Sequence, residues 1–119
     1  MKAFKLINVQ YDQCSFEEGT VPENIAIDAT HFFVETKVNA TQLVAHPAPR
    51  YQFVITVKGK LKFTVSDGSS FIIEPGIVLV ATDVHGKGHT FEIIEGTEWH
   101  RIYIVPHTDS EDHFVTNGE

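Results

Sequence analysis

The chain has 119 residues, 42% of them hydrophobic, which suits one domain with one core that buries roughly two thirds of the unfolded surface. A formal net charge of −7 argues against nucleic acid and anionic membrane as partners, because either would repel the surface and no basic cluster relieves it. Cys14 is the single cysteine, so no intramolecular disulfide can form. The N-terminal residues lack the apolar run and cleavage site of a secretory signal, and no segment reaches transmembrane length. The expectation is a soluble cytoplasmic protein.

In chain order, residues 4–9 are expected to form a first strand, followed by a polar, turn-prone connection through Glu17, Glu18, Gly19 and Pro22. Residues 31–38 alternate, with Phe32, Val34, Thr36 and Val38 on one side and Phe33, Glu35 and Lys37 on the other, as a half-buried strand requires. A further strand is expected over 42–45. Pro47 and Pro49 cannot donate to a ladder, so their segment is a sheet edge or a rim loop.

Residues 51–57 are almost wholly apolar and read as a strand buried on both faces, closed by a hairpin turn at Lys58-Gly59. Leu61, Phe63 and Val65 alternate with Lys60, Lys62 and Thr64 in the return strand. Asp67-Gly68 is a strong hairpin signal, since both residues tolerate positive φ. The next strands are expected at 71–73 and, after Pro75-Gly76, at 77–81. Residues 83–88 are polar and glycine-rich, a loop by composition. A last hairpin is expected from 91–94 and 99–105 around Glu95-Gly96-Thr97, and the tail from 107 to 119 is expected to be flexible. No helix, internal repeat or domain boundary stands out. About eight short strands with tight turns most economically make a small antiparallel jelly-roll β-barrel, one domain over residues 1–119 with its core at roughly 31–105.

The spacing of His46, Ala48, Gln52 and Gly59, followed by Gly68, Pro75-Gly76 and His89, resembles the two motifs of the cupin superfamily, specifically its small single-domain members. The resemblance covers most of the chain. It implies a jelly-roll barrel, frequent dimerisation and a divalent metal held in the barrel by three histidines and a glutamate. Two of the four matching positions depart from that set: Ala48 carries no ligand atom, and Gln52 offers a neutral amide oxygen.

Strand periodicity over 46–52 places His46, Ala48, Arg50 and Gln52 on one face, looking into the barrel. The resulting metal reading uses His46, Gln52 and His89, completed by water or His85; imidazole with an oxygen donor suits Zn, Fe, Ni, Mn or Cu. The plainer reading is that the two histidines hydrogen-bond to backbone or water at a polar barrel mouth. Arg50 is placed as an anchor for a small carboxylate, or else is swung to the surface by its prolines. His85 is a candidate general base. Tyr51, Phe53, Phe63, Phe71, Phe91, Trp99 and Tyr103 line either a pocket for an aromatic ligand, a core or a dimer interface.

Gly86-Lys87-Gly88 lacks the setting of a phosphate loop, and no nucleophile elbow or inward carboxylate pair is present. Three functions follow: a metal-dependent isomerase, lyase or oxygenase acting on a small anionic molecule; a non-catalytic ligand-binding or sensing barrel; or a metal-free enzyme using His46 or His85 as acid or base. A homodimer is expected, because residues 53–57 and 77–81 are too apolar for a wall with one wet face.

Overall fold

The computed structural model describes residues 1–107 and 111–117. Its strands are β1 (Lys2–Val9), β2 (Gln13–Thr20), β3 (Ala29–Glu35), β4 (Gln52–Val65), β5 (Ser70–Ile73), β6 (Val78–Ala81), β7 (His89–Pro106) and β8 (Val115–Thr116). Short 3₁₀ turns occupy Gln10–Asp12 and Ala40–Leu43, and no α-helix occurs among the described residues. The strands form one sheet in the order β3-β7-β4-β6-β1-β2-β8, with β5 paired to β4, curled into a half-barrel. It is all-β as expected, but the sheet is mixed, because β1 runs parallel to β6 with Phe4 opposite Leu79.

Two expected hairpins are strand interiors. β4 runs through Lys58-Gly59 and β7 runs through Glu95-Gly96-Thr97, the two pairing antiparallel from Phe53↔Ile104 to Val65↔His89 with register shifts between Thr56 and Leu61. Gly59 (φ +116°) and Gly96 (φ +83°) absorb the irregularity. A glycine that supports a tight turn supports a β-bulge equally well, so the local signal was real and its geometry different. The bulge also changes side-chain parity. Gln52, Val54 and Thr56 turn inward before it and Leu61, Phe63 and Val65 after it, which keeps one face of a 14-residue strand on the core while the strand bends.

The strand expected over 42–45 is replaced by the 3₁₀ turn, capped reciprocally by Asn39 and Gln42. The connection expected through Glu17, Glu18 and Gly19 is strand β2, whose Cys14 and Phe16 pack inward while Glu18 remains exposed. Within the tail, β8 pairs with β2, and residues 108–110 and 118–119 lie outside the described residues.

The inner core gathers Leu6, Cys14, Val54, Leu61, Phe63, Ile73, Leu79 and Trp99. On the outer face Ala3, Phe53, Val78 and Val80 are covered by the chain's own Val21, Ile27 and Phe114. Part of the face expected to need a partner chain is thus closed from within. Arg101 is the largest fully buried side chain, sandwiched by Trp99 and Tyr103 and bonded through Nη2 to Glu35 Oε1 at 2.8 Å, through Nη1 to the Lys37 and Trp99 carbonyls and through Nε to the Tyr103 hydroxyl. It ties edge strand β3 to β7. No helix among the described residues is long and apolar enough to cross a membrane.

Candidate functional site

The inner face of the half-barrel encloses a cavity of about 320 Å³ whose lining includes His46, Arg50, Gln52 and His89. Two separate segments bring the histidines together. His46 and His89 form an isolated antiparallel bridge, His46 N donating to His89 O at 3.1 Å and His89 N to His46 O at 3.0 Å. Gly88 permits this approach: its φ is +69°, and a methyl group there would overlap the His46 carbonyl and the Pro47 nitrogen. The imidazole centroids are 5.1 Å apart.

Tautomers follow from the partners. His46 Nδ1 lies 2.7 Å from Val44 O, and a carbonyl only accepts, so Nδ1 carries the proton. His89 Nδ1 lies 2.6 Å from Oδ2 of the fully buried Asp83; with that oxygen as acceptor, Nδ1 again donates. In the neutral ring the lone pair of each histidine is then on Nε2, and His89 turns its Nδ1 edge to the protein interior and the opposite edge to the cavity.

Gln52, at the start of β4, is buried, and its Oε1 accepts from Arg50 Nη1 at 2.8 Å. Arg50 lies at the exposed rim with its guanidinium 5.6 Å from the Phe33 centroid, and no carboxylate among the described residues pairs with it. Ala48 is buried and its N donates to Asp83 O. His85 is elsewhere: exposed, 3.5 Å from Asp12 Oδ1, its carbonyl bonded to Asn8, and outside the cavity lining. Gly86 and Gly88 at positive φ turn its loop outward.

The sequence did not nominate Cys14 and Asp83. Cys14 Sγ donates to Asp83 Oδ2 at 3.3 Å, and the ligand atoms of Cys14, Asp83 and His89 lie within 4.8 Å of one another, a group that could hold a metal ion. Asp83 Oδ1 is buried without a hydrogen-bond partner. Burial first, then the Asp83 charge, pushes the Cys14 thiol far above its ordinary range, so it stays protonated. Tyr103 is also raised by burial, against the opposing pull of Arg101. The alternation of Cys14 and Phe16 along β2 was the one available signal for Cys14; nothing in sequence links it to a carboxylate 69 residues away.

The residues fit a metal in one respect and depart from the family set in another. Two imidazoles on one ion, with metal–nitrogen bonds of about 2.1 Å and angles between about 90° and 109°, would place their centroids about 4.6–5.3 Å apart, a span that includes the observed separation. Each ring also has the outer hydrogen bond that metal-ligating histidines commonly make. Gln52 retains one carbonyl lone pair beside the bond from Arg50. No family model, curated protein or solved structure matches the chain. The curled all-β sheet and its cluster are compatible with a cupin-like fold.

Proposed function

We propose that this protein binds a small anionic molecule in the half-barrel cavity at a divalent transition-metal centre held by His46 and His89, with Gln52 as the oxygen donor and Arg50 as the anion anchor. The observation that carries the reading is that both histidines commit Nδ1 to an acceptor, which leaves Nε2 of each as the ring nitrogen available to a ligand in one cavity. Asp83 then acts behind His89, fixing its orientation. A cation on the far side of His89 also offsets the buried carboxylate's charge. When bound, such an ion would supply Lewis acidity to the anion beside it. Arg50 orients the carboxylate, and the aromatic wall excludes water.

Untagged protein analysed by inductively coupled plasma mass spectrometry should hold near-stoichiometric Zn, Fe, Ni, Mn or Cu, lost in both His46→Ala and His89→Ala. Retention in Cys14→Ala separates a cavity ion from one held by Cys14, Asp83 and His89. Metal far below stoichiometry after reconstitution would overturn the metal centre.

A second reading, a binding or sensing barrel without chemistry, is favoured by one feature. The cavity has no uncommitted side-chain base apart from its two histidines: Glu35 is tied to Arg101, and His85 lies outside. Turnover of a bound ligand would dismiss it.

A further inference from the structure

The cavity has two chemically different ends. Phe63, Phe91 and Trp99 form the deep end, all buried, with ring centroids 5.1–5.9 Å apart in stacked and edge-on pairs. Their one polar atom is occupied, since Trp99 Nε1 donates to Thr56 Oγ1 at 3.0 Å. A ligand group reaching this end meets an aromatic wall that includes the His89 ring.

The mouth is polar and cationic. Arg50 uses Nη1 on Gln52, while Nη2 and Nε have no hydrogen-bond partner among the described residues. The guanidinium lies over Phe33, which restricts its freedom and presents a planar fork. Glu35, the acidic side chain on the wall, is paired with Arg101.

We infer that the cavity selects an aryl carboxylate, with its ring against the aromatic wall that ends in Phe63, Phe91 and Trp99 and its carboxylate on the free edge of Arg50. This deepens the proposed function and rests on its anion-binding part. The cavity volume equals that of about ten waters of the liquid, so the acid has about ten to twelve non-hydrogen atoms, the size of phenylacetate or phenylpropionate. Offset and edge-on ring contacts favour an aromatic body over a saturated one.

Trp99 is the single tryptophan, so its fluorescence reports on the deep end alone. Titration with phenylacetate should shift that emission saturably. Phenylacetamide, which keeps the ring and loses the charge, and acetate, which keeps the charge and loses the ring, should each bind at least about tenfold more weakly. Cyclohexylacetate should bind at least about threefold more weakly. Arg50→Gln, at an exposed rim position, should weaken phenylacetate about tenfold and leave phenylacetamide unchanged.

Equal binding of phenylacetate to any of the three analogues, or to Arg50→Gln, would overturn the assignment, as would no saturable shift. Loss of metal with phenylacetate binding intact would remove the metal centre and leave this inference standing. Metal present without phenylacetate binding would do the reverse.

Discussion

The approach of His46 to His89 depends on Gly88, and Gly88→Ala tests how the site is built. Two costs combine. A residue with a Cβ at φ +69° loses about 1–2 kcal/mol relative to glycine. The methyl group would also overlap the His46 carbonyl, so the segment must withdraw and give up the two bridge hydrogen bonds, each worth about 1 kcal/mol. The expected loss is about 3–4 kcal/mol, a large share of the 5–15 kcal/mol typical of a domain. At this chain length that lowers Tm by about 10–15 °C.

Gly76 supplies the control, because it too has positive φ (+97°) but nothing lies within 4 Å of a Cβ built there. Gly76→Ala should cost the conformational term alone, about 1–2 kcal/mol. Calorimetry on both variants isolates the clash, and metal analysis of Gly88→Ala should show the ion lost at temperatures where the protein is still folded. Equal losses in the two variants, or unchanged metal in Gly88→Ala, would refute the bridge as the device that assembles the site.

Arg101→Met leaves the Lys37 and Trp99 carbonyls without their donor and removes the Glu35 ion pair that supplements the β3–β7 ladder, so urea denaturation should show a loss of about 3 kcal/mol; a change below about 1 kcal/mol would show that the Arg101 network is incidental. Cys14 holds its proton more tightly folded than unfolded, where the thiol titrates near 9.0, so its contribution is complete below that pH and falls above it by up to about 1.4 kcal/mol per pH unit. Cys14→Ala should therefore flatten the alkaline limb of the stability profile, and identical limbs would contradict the assignment. Phe32 (70% exposed) and Val34 lie on edge strand β3, the site best placed for the expected homodimer. Light scattering should give twice the chain mass, and Phe32→Lys should give the monomer; a monodisperse wild-type monomer at micromolar concentration would end the dimer reading.

Local chemistry was legible in the sequence, and long-range pairing was not. Asp67-Gly68 makes its hairpin as read, with Gly68 N donating to Val65 O at 3.0 Å and Asp67 accepting from Ser69. Pro75-Gly76 likewise turns the chain into β6. Gly59 and Gly96 were read as hairpin turns; both do have positive φ, but whether such a residue closes a hairpin or sits in a bulge depends on what the partner strand offers. Only the pairing of β4 with β7 along their full length decides that. β2 was hidden by the adjacent charged pair Glu17 and Glu18, which breaks the alternation begun by the inward Cys14 and Phe16. His46, Gln52, Arg50 and His89 do share one cavity; His85 does not, because loop direction is set by backbone dihedrals that residue types only bias. Asp83 carried no periodic signal at all.

Asp83 also sets the electrostatic problem of the cavity. Its carboxyl group accepts from His89 and Cys14 through one oxygen and leaves the other without a partner among the described residues. An anionic ligand entering beside His89 would lie near the Asp83 carboxyl group, with Arg50 at the rim as a cationic offset. A divalent ion on the cavity edge of His89 reverses the local sign, so metal and carboxylate should each bind more tightly when the other is present. Linkage requires the two enhancements to be equal, and couplings of this kind are typically about 5- to 150-fold. Phenylacetate titrations of metal-free and Zn-loaded protein, paired with Zn titrations with and without phenylacetate, measure both sides of the cycle. Equal phenylacetate affinity in the two forms would separate the histidine pair from the anion site and leave Arg50 as the anchor on its own.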